Sequence, residues 1–282
     1  MFVSDALVYA EMHKTACSHI GKLLRHCLQG EQIGKHNRIP ADLQSRFVLG
    51  SIRNPWDWYV SLWGYGCDAK GSVYAQTGRK LHWPYYRHQL PNEMGLPAFS
   101  WGYTARQAWH DLSIPVERWR EVYSDSRDVE AFRRWLKLMF DPERALDVGE
   151  GYGFSALSSE AGLMSYRFFK LFSSIDQKMY QSGVDASLPG LQQLWEQHGF
   201  VDFFIRQEQL SDDFYQALDK AEVELDQQKQ QQLAEMVNTK TNISSRSSAS
   251  DYYDDESVAL VAKREAFIID KFNYQPPEGC AL

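Results

Sequence analysis

Twice near its start the chain sets an apolar run against an abrupt polar break and then a helix-patterned segment, an order that few folds accommodate. The first copy is residues 7–12, broken at His13-Lys14-Thr15 and followed by 18–27, where Ile20, Leu23, Leu24 and Cys27 recur on one helical face. The second is residues 46–52, "RFVLGSI", ending in "RNPWDW". There Asn54 can cap a helix, Pro55 suits its first turn and Asp57 lies near its positive end. A weaker strand pattern, 32–36, lies between them. Strand, helix, strand, strand, helix in this order predicts an α/β protein, a three-layer domain with a central parallel sheet flanked by helices.

The rest of the chain fits one domain over 1–282. Residues 64–127 crowd Trp, Tyr, Gly, Pro and His with little periodicity, and read as a long insertion over one end of the sheet, where loops build substrate sites. Helical patterns return at 129–139, 161–180 and 191–198. A strand follows at 201–205, then a helix from about Asp212 and a glutamine-rich helical surface, "DQQKQQQLAEM". The last helix starts in "DDE" (254–256) and buries Val258, Val261, Ile268 and Phe272. The glycines of "GEGYGF" (149–154) follow no strong strand, so they mark no dinucleotide site.

Charge narrows the partners. A net charge of −7 argues against a nucleic-acid binder with a general basic surface. Residues 1–60 nevertheless carry seven Lys/Arg against five Asp/Glu, which suits a local anion site. Cys17, Cys27, Cys67 and Cys280 have neither metal-ligand spacing nor a disulfide framework, so no metal is expected and a reducing cytoplasm is the expected compartment. Asp5 and Glu11 interrupt the first apolar run, and no stretch reaches the length of a membrane span.

A strand-to-helix junction is a natural anion site, because the backbone N–H groups of the first helical turn have no acceptor within the helix. From Thr15 to His19 these groups, with the Lys14 ammonium and the Thr15 and Ser18 hydroxyls, would grip an anion. The triphosphate loop Gly-x4-Gly-Lys-Ser/Thr is matched only in part, since Val8 and His13 occupy its glycine positions. In the second junction Arg53 ends the strand and Ser61 follows eight residues later, a guanidinium and a hydroxyl apt for a phosphate monoester. A bare helix start at Lys14, and an Arg53–Asp57 pair beside a packed Ser61, stand as the alternatives.

"HKTACSH" followed about forty residues later by "RNPWDWYVSLW" resembles the sulfotransferase superfamily, which uses 3′-phosphoadenosine 5′-phosphosulfate. "VDFFIRQEQLSDDF" (201–214), "TNISSR" (241–246) and "YYDDESVALVAKREAFIIDKFNY" (252–274) extend the resemblance, in order, to about half the chain. The bacterial and glycan-modifying branch is the nearer one. The resemblance implies that Lys14, Thr15, Ala16, Cys17, Ser18 and His19 hold the 5′-phosphosulfate. It assigns Arg53 and Ser61 to the 3′-phosphate, with Arg246 folding over it. Where the family's loop often reads Lys-Thr-Gly-Gly/Ser-Thr-Ser, this chain has Ala16, Cys17 and His19. Alanine is tolerated if the backbone there stays right-handed, Cys17 must point away from the phosphate, and His19 replaces a hydroxyl donor. Lys240 stands where relatives commonly have His.

Lys14 is then the expected electrophilic catalyst on the bridging oxygen. His36, in "GKHNRI", lies where some glycan sulfotransferases keep a catalytic His and is the expected base, with His13, His82, His88 and His110 as rivals. Trp83, Tyr85, Tyr86, Trp101 and Tyr103 can stack an acceptor ring or form the insertion's own core, and the resemblance leans towards a saccharide hydroxyl. Two other readings stay open: a catalytically silent 3′-phosphonucleotide-binding protein of the same fold, and a P-loop kinase or NTPase.

Overall fold

The computed structural model describes residues 1–81, 94, 101–237 and 248–280. The chain opens with strands β1 (Phe2–Ser4) and β2 (Leu7–Tyr9), helix α1 (Cys17–Cys27), and strands β3 (Gly30–Gln32) and β4 (Phe47–Ile52). Helices α2 (Pro55–Cys67), α3 (Ser72–Thr77), α4 (Trp101–Asp111), α5 (Val116–Glu121), α6 (Val129–Phe140), α7 (Leu163–Phe172) and α8 (Leu188–His198) follow. Then come β5 (Phe203–Arg206), α9 (Leu210–Lys220), α10 (Gln227–Val237), α11 (Ala249–Tyr252), α12 (Asp255–Arg264) and α13 (Ala266–Phe272). These residues form a mixed α/β protein, mostly helical, and they group into two compact units.

The first unit takes, among the described residues, 1–54, 167–174 and 197–237. It holds a five-stranded sheet among the described residues, in the order β3-β1-β2-β4-β5. β2, β4 and β5 are parallel, with Tyr9 opposite Leu49 and Leu49 opposite Phe203. β1 is antiparallel to both β2 and β3, so β3 runs in the same direction as β2. On one face Leu7, Tyr9, Leu49 and Ile205 pack against Ile20 and Leu24 of α1, Phe214 of α9 and Leu233 of α10. Alternation turns Gly50 and Phe204 to the other face, where Phe204 stacks on Phe168 at 5.3 Å and meets Phe172 edge-on at 5.0 Å. A Cβ on Gly50 would lie 2.6 Å from the Phe204 ring, so the glycine makes room for it.

The second unit is built on an aromatic core. Trp56, Trp58, Tyr59 and Trp63 of α2 are fully buried, together with Trp119, Phe132 and Trp135. Three of these buried indole N–H groups donate as follows: Trp56 to Val258 O at 3.2 Å, Trp63 to Val122 O at 2.7 Å and Trp135 to Tyr123 Oη at 2.7 Å. Asp128 caps α6 by accepting from Ala131 N, and Asp254 forms a capping box with Ser257 at the start of α12.

Several expectations change. The parallel pattern is confined to three strands. β1, only three residues long, has no readable periodicity in sequence. The segment expected at 32–36 pairs instead as Gly30–Gln32 at the sheet edge, antiparallel to β1. The 161–180 pattern is α7 followed by a 3₁₀ turn, Asp176–Tyr180. The described part of 64–127 is largely helical rather than irregular, and Trp119 and Tyr123 belong to the core. The closing helix breaks at Glu265, and Phe272 is only half-buried.

Candidate functional site

Because β2, β3 and β4 run in one direction, the segments after them leave from the same sheet edge. These segments carry His13 to Ser18, Lys35 to Arg38, and Arg53. Ligands of open α/β sheets bind at such carboxyl-terminal edges.

The loop between β2 and α1 turns through two left-handed residues, Lys14 (φ 65°) and Ala16 (φ 61°). The condition set for alanine, a right-handed backbone, is therefore not met at Ala16. Ala16 is the N-cap of α1, and its carbonyl accepts from both His19 N (2.9 Å) and Ile20 N (3.1 Å). A left-handed cap lets the chain leave β2 and enter the helix within a few residues. Each such residue costs roughly 1–2 kcal/mol when a Cβ is present. Val8, where a triphosphate loop would have its first glycine, is a buried strand residue paired with Val3 and Val48.

Thr15 holds the turn down. Its hydroxyl donates to Met12 O at 2.9 Å and lies 2.7 Å from Ser51 Oγ, which is itself 2.8 Å from Tyr9 Oη. All three side chains are buried, so the chain ties the loop to β4 through a polar relay. What Thr15 offers above the sheet is its backbone. The alternation of φ sign across Lys14, Thr15 and Ala16 is of the kind that gathers successive N–H groups into an anion-binding concavity.

Cys17 joins the apolar cluster with Ile20, Leu23 and Leu24, away from the loop's outer face, and burial pushes its thiol pKa up. Ser18 is exposed and accepts from Lys35 Nζ at 3.2 Å. The His19 N–H is spent on Ala16 O, and its half-buried ring has a pKa lowered first by desolvation and then by Lys22. Of the expected backbone donors, Cys17 and Ser18 remain in the first turn, where no helical carbonyl reaches them.

His36 lies over the same loop. Its ring stacks on His13 with centroids 3.5 Å apart and planes 17° apart, and its Nδ1 is 2.9 Å from Glu11 O. A carbonyl only accepts, so Nδ1 carries the hydrogen and the lone pair of the neutral ring is on Nε2. His36 reaches this position through a left-handed backbone, φ 56°. Lys35 was not singled out from sequence. Its adjacency to His36 was visible, but its reach back to Ser18 depends on the β1-mediated pairing of β3.

Arg53 closes β4, and the Asn54 N–H after it donates to Glu208 Oε1 at 2.7 Å. Arg206 pairs with the buried Asp213, at 2.9 Å from each of two nitrogens. In the second unit, Ser61 lies buried on α2. There His110 Nε2 is 2.5 Å from Asp147 Oδ1, while Trp119 Nε1 donates to Asp147 Oδ2 at 2.8 Å. Trp101 is exposed, and Tyr103 meets Phe154 edge-on at 5.1 Å. Arg246, Lys240, Asn242, His82, His88, Trp83, Tyr85 and Tyr86 lie outside the described residues.

Among the described residues no helix is long and apolar enough to cross a membrane, and no group of three or more His, Cys, Asp or Glu side chains could hold a metal ion. Comparison with protein-family models, with curated proteins and with solved structures finds no match to this chain.

Proposed function

We propose that the protein is a sulfotransferase that moves a sulfuryl group from 3′-phosphoadenosine 5′-phosphosulfate to an acceptor hydroxyl, on a saccharide, within a three-layer P-loop-like domain. The observation that carries the reading is the loop of Lys14 to Ser18. It is a short left-handed turn pinned by Thr15 at the carboxyl edge of parallel strands, with Lys35 and His36 brought over it. Four free cysteines fit a reducing cytoplasm as its compartment.

The residues present suit the co-substrate. Cys17 is turned into the core, leaving the outer face of the loop to Lys14, Ser18, Lys35 and backbone N–H groups. The bound co-substrate supplies an activated sulfuryl group and a phosphate leaving group. Lys14 and the loop N–H groups neutralise charge on the bridging oxygen. The acceptor's O–H proton passes to His36 Nε2 while its oxygen bonds to sulfur, and the sulfur–bridging oxygen bond breaks with its electron pair going to the 5′-phosphate. The resemblance assigns Arg53, Ser61 and Arg246 to the 3′-phosphate.

A silent 3′-phosphonucleotide binder is favoured by one observation, the engagement of the Thr15 hydroxyl with Met12 and Ser51. Thermal-shift titration with 3′-phosphoadenosine 5′-phosphate, ADP and ATP–Mg²⁺ tests the nucleotide. We expect the 3′-phosphorylated ligand to stabilise most; preference for ATP–Mg²⁺ would sink the proposal. Labelled-sulfate transfer or donor hydrolysis that falls about 10²–10³-fold in Lys14→Ala separates the enzyme from the silent binder.

A further inference from the structure

The stack of His13 on His36 is a closer relationship than two neighbouring loops require. The two rings are nearly parallel with centroids 3.5 Å apart, and each sits on a segment leaving the same sheet edge. Two neutral imidazoles, or one neutral and one protonated, stack well at that distance. Two protonated rings would hold like charges face to face, and interacting sites this close take up protons as a pair rather than as individuals.

The surroundings add to the effect. On the segments bearing the rings, the charged groups are Glu11 and Lys14 on one side and Lys35 and Arg38 on the other, with His19 on α1 and Arg53 at the end of β4. Glu11 is the one carboxylate in this set. It is already committed to the Met1 amino group at 3.1 Å and to Gln32 Nε2 at 2.8 Å, so it is poorly placed to balance a second imidazolium. The Glu11 carbonyl fixes the hydrogen of His36 on Nδ1, which leaves Nε2 as the atom that gains the first or the second proton.

From this geometry we infer that His13 and His36 take up one added proton between them, and not two, across the range where ordinary histidines titrate. His13 is then a positioning residue: its stacked ring orients His36 and sets the acidity at which Nε2 can accept the acceptor's proton. The catalytic consequence rests on the sulfuryl-transfer reading, whereas the shared proton does not.

The test follows the Hε1 resonances of the two histidines by NMR in the intact wild-type protein, His13→Phe and His36→Phe, from pH 8 to about pH 5, below the ordinary histidine value. The wild type is expected to bind one proton on the pair over this range, the same number as either Phe variant, which keeps a stacking ring but removes one titrating site. Two protons bound in the wild type, with each curve unchanged when the other histidine is replaced, would overturn the inference. If a variant does not fold, the wild-type count decides alone. In labelled-sulfate transfer, the acid limb of the pH–rate profile is expected to move in His13→Phe. Absence of any transferase activity would overturn the function without altering the proton count, so the two failures are distinguishable.

Discussion

Thr15 Oγ1 lies 2.7 Å from Ser51 Oγ, and both side chains are fully buried. This contact fixes the β2–α1 turn against β4, so the loop's shape depends on a hydroxyl that faces the sheet. Thr15→Val, which keeps the shape and removes the oxygen, should cost about 1–3 kcal/mol because Ser51 loses a buried partner. Thr15→Ser should retain most of the stability. Urea unfolding measures the cost. We expect affinity for 3′-phosphoadenosine 5′-phosphate to fall with stability in Thr15→Val and to survive in Thr15→Ser; full affinity in Thr15→Val would mean that the loop holds its shape without the relay.

Ala16 makes the second prediction. With φ at 61°, its Cβ is in a conformation that favours glycine. Ala16→Gly relieves roughly 1 kcal/mol of strain, offset in part by the greater freedom glycine gains in the unfolded chain. Its stability should therefore match or slightly exceed that of the wild type. Ala16→Val should lose about 2 kcal/mol or more, since a β-branched side chain is a genuine outlier there. Denaturant midpoints of the two variants check the order.

Much of the chain's first 67 residues was legible in sequence because the longer strands end abruptly and the helices begin with clear signals. "RFVLGSI" and "RNPWDW" announce β4 and α2, and the apolar face of α1 is read directly from Ile20, Leu23, Leu24 and Cys27. That Cys17 turns inward follows from the same helical periodicity. The conformation of Ala16 was not legible, since φ at a cap depends on where the strand before it stops. Nor was the reach of Lys35 to Ser18, or the stack of His13 on His36. Both depend on β1, a strand too short to show a pattern, which turns β3 parallel to β2. The helices of 101–123 were hidden because the first buries the polar Thr104, Gln107 and Asp111 while exposing Trp101 and Trp109, which inverts the pattern that marks an amphipathic helix.

Asp213 is fully buried at the start of α9, and it accepts from Arg206 N at 2.8 Å as well as from the Arg206 guanidinium. It therefore closes the end of β5 with three charge-assisted bonds. Asp213→Ala leaves a backbone donor and a half-buried cation without this acceptor, and should cost about 2–4 kcal/mol. Asp213→Asn keeps one oxygen and should cost less. Thermal unfolding of both variants gives the comparison; equal stability of Asp213→Ala and the wild type would show that solvent replaces the carboxylate.

Glu265 carries the pH prediction. It interrupts the closing helix and is buried within the second unit, where one carboxylate oxygen accepts from Met164 N at 3.1 Å and from Tyr59 Oη. The other accepts from Ser165 N at 2.9 Å and Ser165 Oγ at 2.6 Å, so the side chain serves the first turn of α7. Burial raises its pKa, although the Ser165 and Tyr59 donors pull the other way. A carboxyl with a raised pKa keeps its proton to higher pH in the folded state than in the unfolded chain, whose value is about 4.3. Between those two values the folded state binds more protons, so the contribution of Glu265 is full below the unfolded value and declines as pH rises through the folded one. Glu265→Gln turns an amide towards two of the four donors and should cost about 1–3 kcal/mol. That cost should be largest near pH 4.3 and shrink towards neutrality, because only the wild type loses stability over the interval. Urea unfolding of both proteins at a series of pH values measures the difference. A cost that grows with pH would mean that the four donors outweigh burial and hold Glu265 ionised.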